Sequence, residues 1–262
     1  MKYFTIIITL LLLSMTACNS VSNLLSPKVL AATTQAQVNE VEIDSNSVFA
    51  SIQQNLDMVA ALKTKVQDAK IQGQPLSLDS VISDIQKVSD SYNELSAKHD
   101  GIRAGLLKKI ANVENMRDKV DTEIAALKAR EADYSRQLAT VSDPNSDVVA
   151  SRKEALAQAI SYCQQQEALW VQFSAIQADI IGELDSVQRT INSFLSVVDS
   201  SAICFSEGLS LLRLQRDINS ALSLFTTDTP RMEQLTLDMQ KSWQQLDYLV
   251  AQLTGISNVT IK

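Results

Sequence analysis

An apolar seam that recurs at steps of three and four over residues 78–141 constrains this chain more than any other feature. It reads Leu78, Val81, Ile85, Val88, Tyr92, Leu95, His99, Ile102, Leu106, Ile110, Val113, and continues through Met116, Val120, Ile124, Leu127, Tyr134, Leu138 and Val141. That alternation puts one stripe along one side of an α-helix, the pattern of helices that pack on each other. An unbroken helix from Ser77 to Val141 rises about 97 Å at 1.5 Å per residue. Its other faces carry charges of both signs, so it reads as a solvated outer helix with many i,i+4 pairs. Ser77 or Asp79 can cap its start. Gly101 and Gly105 are where a bend, or the close approach of another helix, is expected.

Few residues could interrupt such helices. The chain has six glycines and four prolines in 262 residues, against averages of about 7% and 5%. An earlier helix is expected from about Ser47 to Gln72, with Asp44, Ser45 or Ser47 as cap. Its seam is Ile52, Leu56, Val59, Leu62, Val66 and Ala69, and Gly73 and Pro75 end it. Pro144 and Asn145 mark a tight turn over 142–146, which implies that the flanking helices fold back antiparallel. The next helix, about Asp147 to Val198, has no Lys or Arg between Lys153 and Arg189 and is apolar on several sides over its second half. Such a helix is surrounded by others, so it reads as the hub, with Trp170 and Phe173 in the core. A kink or turn is expected at Asp199–Ser201, then a segment from Ile203 to Phe225. A last helix runs from Pro230 to Leu253, with Thr229 as its cap and Gly255 closing it. The expected fold class is all-α: an elongated antiparallel helical bundle or coiled coil with long helices.

The net charge of −7 argues against nucleic acid as a partner. The single histidine, His99, leaves no His-based metal cluster to build; it reads as a partly exposed seam residue near a bend. There is no phosphate-cradling glycine loop, no nucleophile elbow and no paired carboxylates in an apolar segment. No catalytic residue, metal or cofactor is expected. Besides Cys18 there are Cys163 and Cys204, which lie too far apart along the expected helices to bridge.

The amino terminus carries a different signal. Lys2 precedes the apolar run Phe4–Leu13, which is too short for a membrane span of about 20 residues but suits the apolar region of a signal peptide. Small Thr16 and Ala17 then precede Cys18. Met15-Thr16-Ala17-Cys18 resembles the lipobox of bacterial lipoproteins, with Met15 where leucine is usual. The resemblance covers the first 19 residues. It implies that residues 1–17 are a signal peptide that is removed and that Cys18 is acylated, with acyl groups such as palmitate. It also implies a protein exported and held on the cell envelope through its N-terminal lipid. Asn19, rather than Asp, is compatible with the outer membrane.

The domain organisation then reads as signal peptide 1–17, flexible tether 18–44, helical bundle domain 45–255 and short C-terminal tail 256–262. The expected function is that of a structural or protein-interaction module at the bacterial outer membrane or cell surface, with a protein partner and no enzymatic activity. The alternative is a membrane-active protein that resembles helical-bundle pore-forming toxins in outline only. In cells fed a fatty-acid analogue, Cys18→Ala should abolish labelling of the protein. Equal labelling of variant and parent refutes the anchor assignment.

Overall fold

The computed structural model describes residues 26–73, 77–141, 147–224 and 229–259. Cys18, the turn at 142–146, Pro75 and the linker at 225–228 lie outside the described residues. Among these described residues six helices follow in order: α1 (Pro27–Gln72), α2 (Leu78–Ala97), α3 (His99–Thr140), α4 (Asp147–Gln215), α5 (Ile218–Leu224) and α6 (Thr229–Ser257). No strand occurs among the described residues, and the chain is the all-α helical bundle its seams predict. The helices are shared between two units. One takes residues 1–37, 111–181 and 247–262, the other 38–110 and 182–246.

In the first unit, α3 and α4 are antiparallel, because residue numbers rise on one as they fall on the other. Lys128 pairs with Glu167 at 3.4 Å, Gln164 donates to Glu131 at 2.7 Å, and Ser174 donates to Asp121 at 2.6 Å. The core gathers Leu30 of α1, Val113 and Val120 of α3, Phe173 and Ile180 of α4, and Leu253 of α6. Trp170 and Phe173 meet edge to face at 5.6 Å, one turn apart on α4. A polar layer crosses this core: Gln177 donates to Thr34 at 3.3 Å, and the Thr34 hydroxyl points at the Met116 sulfur at 3.9 Å.

In the second unit, α1 runs opposite to α2 and α3: Lys65 reaches Asp84 at 2.7 Å, whereas Lys109 reaches Asp44. α4 also runs opposite to them. Arg213 donates to Gln86 at 2.9 Å, and Phe205 stacks on Tyr92 at 5.2 Å. Both being antiparallel to α2, α1 and α4 run parallel here, and Phe49 meets Phe194 edge to face at 4.7 Å. Ile85, Ile191, Leu195 and Leu212 fill the space between.

The segment expected to be a tether up to Asp44 is helical from Pro27. Pro27 holds the first helical position, which suits its fixed φ and missing N–H, and Ser26 precedes it, its carbonyl accepting from Leu30 N–H at 3.0 Å. Buried positions then recur along α1 at Ala31, Thr34, Val38, Val41, Ser45, Val48, Ile52, Asn55, Val59, Leu62 and Val66. These steps alternate three and four without a lapse. Small and polar side chains at four of them hide the first half of the seam from a hydrophobicity reading. Asp44, Ser45 and Ser47, expected as caps, lie inside the helix, where the Ser45 hydroxyl donates to Val41 O at 2.6 Å, a back-bond that helical serines make. The end at Gln72 is as expected: Gly73 follows with φ 62°, the left-handed position that glycine adopts at no steric cost.

Two other breaks move. The long helix over 77–141 does start on Ser77, whose side chain accepts from Ser80 N–H. Its interruption is at Lys98 and not at Gly101 or Gly105. Lys98 N–H reaches back to Leu95 O at 3.1 Å, one residue short of the α-helical partner, and the α-pattern resumes with Ile102 N–H on Lys98 O at 3.1 Å. Both glycines are helical, and a Cβ on either would meet nothing within 4 Å, so no helix approaches closely there. α4, in turn, passes straight through Asp199–Ser201. Ser200 donates to Ser196 O at 3.0 Å, and Ser201, Ala202 and Phe205 keep the buried face going. The chain turns at Arg216 instead, with φ 54°. Asp217 then caps α5: its carboxylate accepts from the Ser220 hydroxyl at 2.7 Å and from the Asn219 and Ser220 N–H groups at 3.0 and 3.2 Å. The Ser220 hydroxyl foremost, then the two amides, hold that carboxyl below its usual range. The expected segment Ile203–Phe225 is thus the end of α4 plus α5. α6 continues through Gly255 to Ser257, past the expected end at Leu253.

Cys163 is buried in the first unit and Cys204 half-buried in the second. They stand 41 residues apart on α4, each within its own unit, and no disulfide joins them. Mass mapping of the unreduced protein should find no bridge between them.

Phe173 is 1% exposed whereas Ile124 is only half-buried. Phe173→Ala should cost about 3–5 kcal/mol and visibly lower the thermal midpoint by circular dichroism. Ile124→Ala should cost clearly less, and the reverse ranking would show that α4 is not the hub of its unit.

Candidate functional site

Cys18, the one residue to which the sequence assigns a chemical role, lies outside the described residues. Among those described, three places gather polar or apolar groups in ways that could serve function.

The first is built around Asp199 in the second unit. The break at Lys98 starts α3 on His99, whose Nδ1 lies 3.0 Å from one Asp199 oxygen; Ser96, at the end of α2, donates its hydroxyl to the other at 2.6 Å. Serine, histidine and aspartate are together, but a nucleophile relay needs the serine on the far imidazole nitrogen. Here both side chains bind one carboxylate, so the serine proton is directed at Asp199 and not at His99. The arrangement pins α4 across the gap between α2 and α3. His99, with 21% of its side chain exposed, is the seam residue beside a break that the heptad pattern describes.

The second is a cleft of about 290 Å³ in the first unit. The start of α1 gives Ser26, Pro27 and Lys28; α4 gives Gln166, Leu169, Trp170 and Phe173; the end of α6 gives Ile256, Ser257 and Val259. Among the described residues, Lys28 is the only charged one on its walls. Small-molecule sites start at about 300 Å³, so it is small, and its described walls hold no acid, base or nucleophile pair. Trp170 and Phe173, expected in the core, are buried and also form its floor.

The third is a set of buried polar side chains whose hydrogen-bonding capacity is unfilled. Asn55 is 0% exposed, and neither its amide nitrogen nor its oxygen has a partner; the Gln177 oxygen is in the same state. An unfilled buried amide costs on the order of 1–3 kcal/mol. In packed helices such a residue fixes register at the expense of stability. Sequence reading missed Asn55 because Asn55 and Leu56 both satisfy the heptad step after Ile52, and the apolar neighbour was the natural choice. Leu56 is only half-buried.

No group of three or more His, Cys, Asp or Glu among the described residues could hold a metal ion. Among the described residues one helix, α4, is long and apolar enough to cross a membrane by length and composition, and half of that apolar window is buried inside the protein. No protein-family model, curated protein or solved structure matches the chain. The class that the structure defines is therefore that of an all-α helical bundle.

On the surface of the second unit, Lys65 pairs with Asp84 at 2.7 Å. The hydrogen bond from Lys65 foremost holds the Asp84 carboxyl below its ordinary range against the opposing effect of burial, and the charge of Lys65 and the contacts of Lys87 add to the lowering. A carboxyl lowered in the folded state adds stability above its unfolded pKa and loses it as pH falls through the folded value. Both partners are more than a third exposed, so Asp84→Asn should cost less than about 1 kcal/mol at neutral pH. That deficit should vanish in strong acid, read by urea unfolding of both proteins at the two pH values; a deficit that persists there would mean that the carboxylate charge is not its source.

Proposed function

We propose that this chain is a lipid-anchored extracytoplasmic helical protein. In this reading Cys18 carries the lipid, and the bundle acts as a structural or protein-interaction module at the bacterial outer membrane or cell surface. The observation that carries the reading is the start of α1 at Pro27. Only Asn19 to Ser26 then separates Cys18 from the bundle, eight residues with an extended reach of at most about 29 Å. An anchor that close to a helical bundle suits a module held beside the lipid surface, where exposed helix faces meet a protein partner. Two or three acyl chains supply a stable hold, which one chain does not.

The length and apolar character of α4 favour one second reading, a bundle that opens at membranes. Against it, half of the apolar window is already satisfied inside the protein, as in any core helix. Two measurements separate the readings. Affinity capture of the full-length lipidated protein from its own membrane should retain a specific protein partner that Cys18→Ala, released from the membrane, captures less. Liposomes loaded with dye should stay sealed when the protein is added. Leakage that depends on protein concentration, with no retained partner, would favour the membrane-active reading.

A further inference from the structure

In the first unit, α3 and α4 run on past the level at which α1 begins and α6 ends. The cleft sets Ser26, Pro27 and Lys28 of α1, and Ile256, Ser257 and Val259 at the end of α6, against residues 166–173 of α4. Beyond that level, among the described residues, α3 and α4 continue as a pair. Gln164 still reaches Glu131 at 2.7 Å, and Leu156, further out, is 8% exposed. Burial nevertheless falls away. Over residues 148–162 Leu156 alone is buried, and over residues 128–140 none is, whereas α4 buries six residues over 170–180. Two helices hide only the seam between them, so each keeps an open flank. On α4 that flank is a stripe at steps of four and three: Val148, Arg152, Ala155, Ala159 and Tyr162. None of the five is acidic, and Val148 and Tyr162 are 58% and 49% exposed. The next residue in the stripe, Gln166, is a wall of the cleft together with Ser26. The stripe therefore runs down to the place where α1 starts.

What this flank meets follows from chain length and charge. The eight residues from Asn19 to Ser26 hold Cys18 within about 29 Å of the cleft. Val148 lies 18 residues before Gln166 on α4, so the stripe extends about 27 Å from the same level. A lipid attached at Cys18 thus lies no farther from the foot of the stripe than about the stripe's own length. Charge favours this part of the chain as the side that faces lipid. Residues 128–164 hold five Lys or Arg and five Asp or Glu, so the net charge of −7 resides wholly in the rest of the chain. An anionic lipid surface repels that remainder and not the α3–α4 pair. We propose that the stripe Val148–Arg152–Tyr162 is a lipid-contact surface that rests on phospholipid headgroups. Arg152 meets phosphate, while Val148 and Tyr162 lie toward the acyl boundary, where aromatic and long cationic side chains are at home. The inference rests on the proposed anchor at Cys18 and deepens it: a second hold fixes the orientation of the module as well as its place.

The test uses the full-length lipidated protein in vesicles of phosphatidylethanolamine and phosphatidylglycerol, with a benzophenone amino acid in place of Tyr162 or, as control, of Ala157. Ala157 is exposed and, two and a half turns from Val148, lies on the opposite side of α4. Irradiation should cross-link lipid from position 162 at least about fivefold more than from position 157. Val148→Glu with Arg152→Glu, at two exposed positions, should lower the lipid yield at 162 by about fivefold with an unchanged circular dichroism spectrum. Equal lipid yields at 162 and 157, or a yield at 162 that the double variant leaves unchanged, overturn the proposal. Cross-links from 162 to protein in place of lipid, whether to a second copy or to another polypeptide, overturn it equally. The intact mass of the purified protein separates this inference from the anchor. A chain that begins at an acylated Cys18 and shows no excess lipid yield at 162 loses the lipid-contact stripe alone. A chain without the acyl mass loses the anchor, and the stripe with it.

Discussion

Burial along α4 is the constraint on which both units depend. In the first unit its Phe173, Ile176 and Ile180 are buried, and in the second its Leu184, Val187, Ile191, Phe194, Leu195, Val198, Phe205 and Leu212. A fully buried side chain of this kind is worth about 1.5–3 kcal/mol relative to an exposed one. No other helix contributes so many large ones. The ion pairs around it are minor by comparison. Lys128–Glu167 and Lys65–Asp84 are partly exposed, and such pairs contribute about 0–1 kcal/mol. They set which level of one helix faces which level of the next, while the apolar face supplies the drive to pack.

Apolar seams alone leave register loosely specified, because a slide by one heptad restores most contacts. The polar residues within the seams remove that freedom. Gln177 must find Thr34, and Asp199 must find both Ser96 and His99. A shifted register would strand the buried Gln177 and Thr34 away from water at a cost of about 1–3 kcal/mol each, and would take from Asp199, 41% exposed, its two partners. Asn55 is the extreme case, since it is buried with its amide unfilled even in the native register. The same residues explain why chemistry is scarce here. Where serine, histidine and aspartate meet, the serine hydroxyl and the histidine Nδ1 are both spent on the Asp199 carboxylate, which ties helices together.

Much of the fold is legible in the spacing of residues, because heptad steps depend only on helix geometry. The seam of α2 and α3 through Val81, Ile85, Val88, Val113 and Val120 is buried as read, Ser77 caps α2, and Gly73 follows α1. Trp170 and Phe173 are in the core for the same reason. The cleft was not legible, since it is made by the ends of α1 and α6 and the middle of α4, three segments distant in sequence. Nor was the Asp199 cluster, whose members are about a hundred residues apart and were read as a seam histidine and a turn.

What the sequence by itself determined is therefore the periodic part: which stretches are helices, which stripe of each is apolar, and where a capping serine starts one or a glycine stops one. Tertiary structure decided the rest, wherever local propensity was indifferent. Thr34, Ser45 and Asn55 can sit in solvent or in a seam, and only the neighbouring helices make them buried positions that extend α1 back to Pro27. Asp199-Ser200-Ser201 can end a helix or continue one. It continues because Asp199 is held by α2 and α3 and because Ser201, Ala202 and Phe205 have a core to face. Lys98, and not either glycine, breaks the helix, because the contacts of Ser96 and His99 with Asp199 fix the chain on both sides of it. In each case the free energy that settles the choice comes from a partner surface that no local stretch of sequence contains.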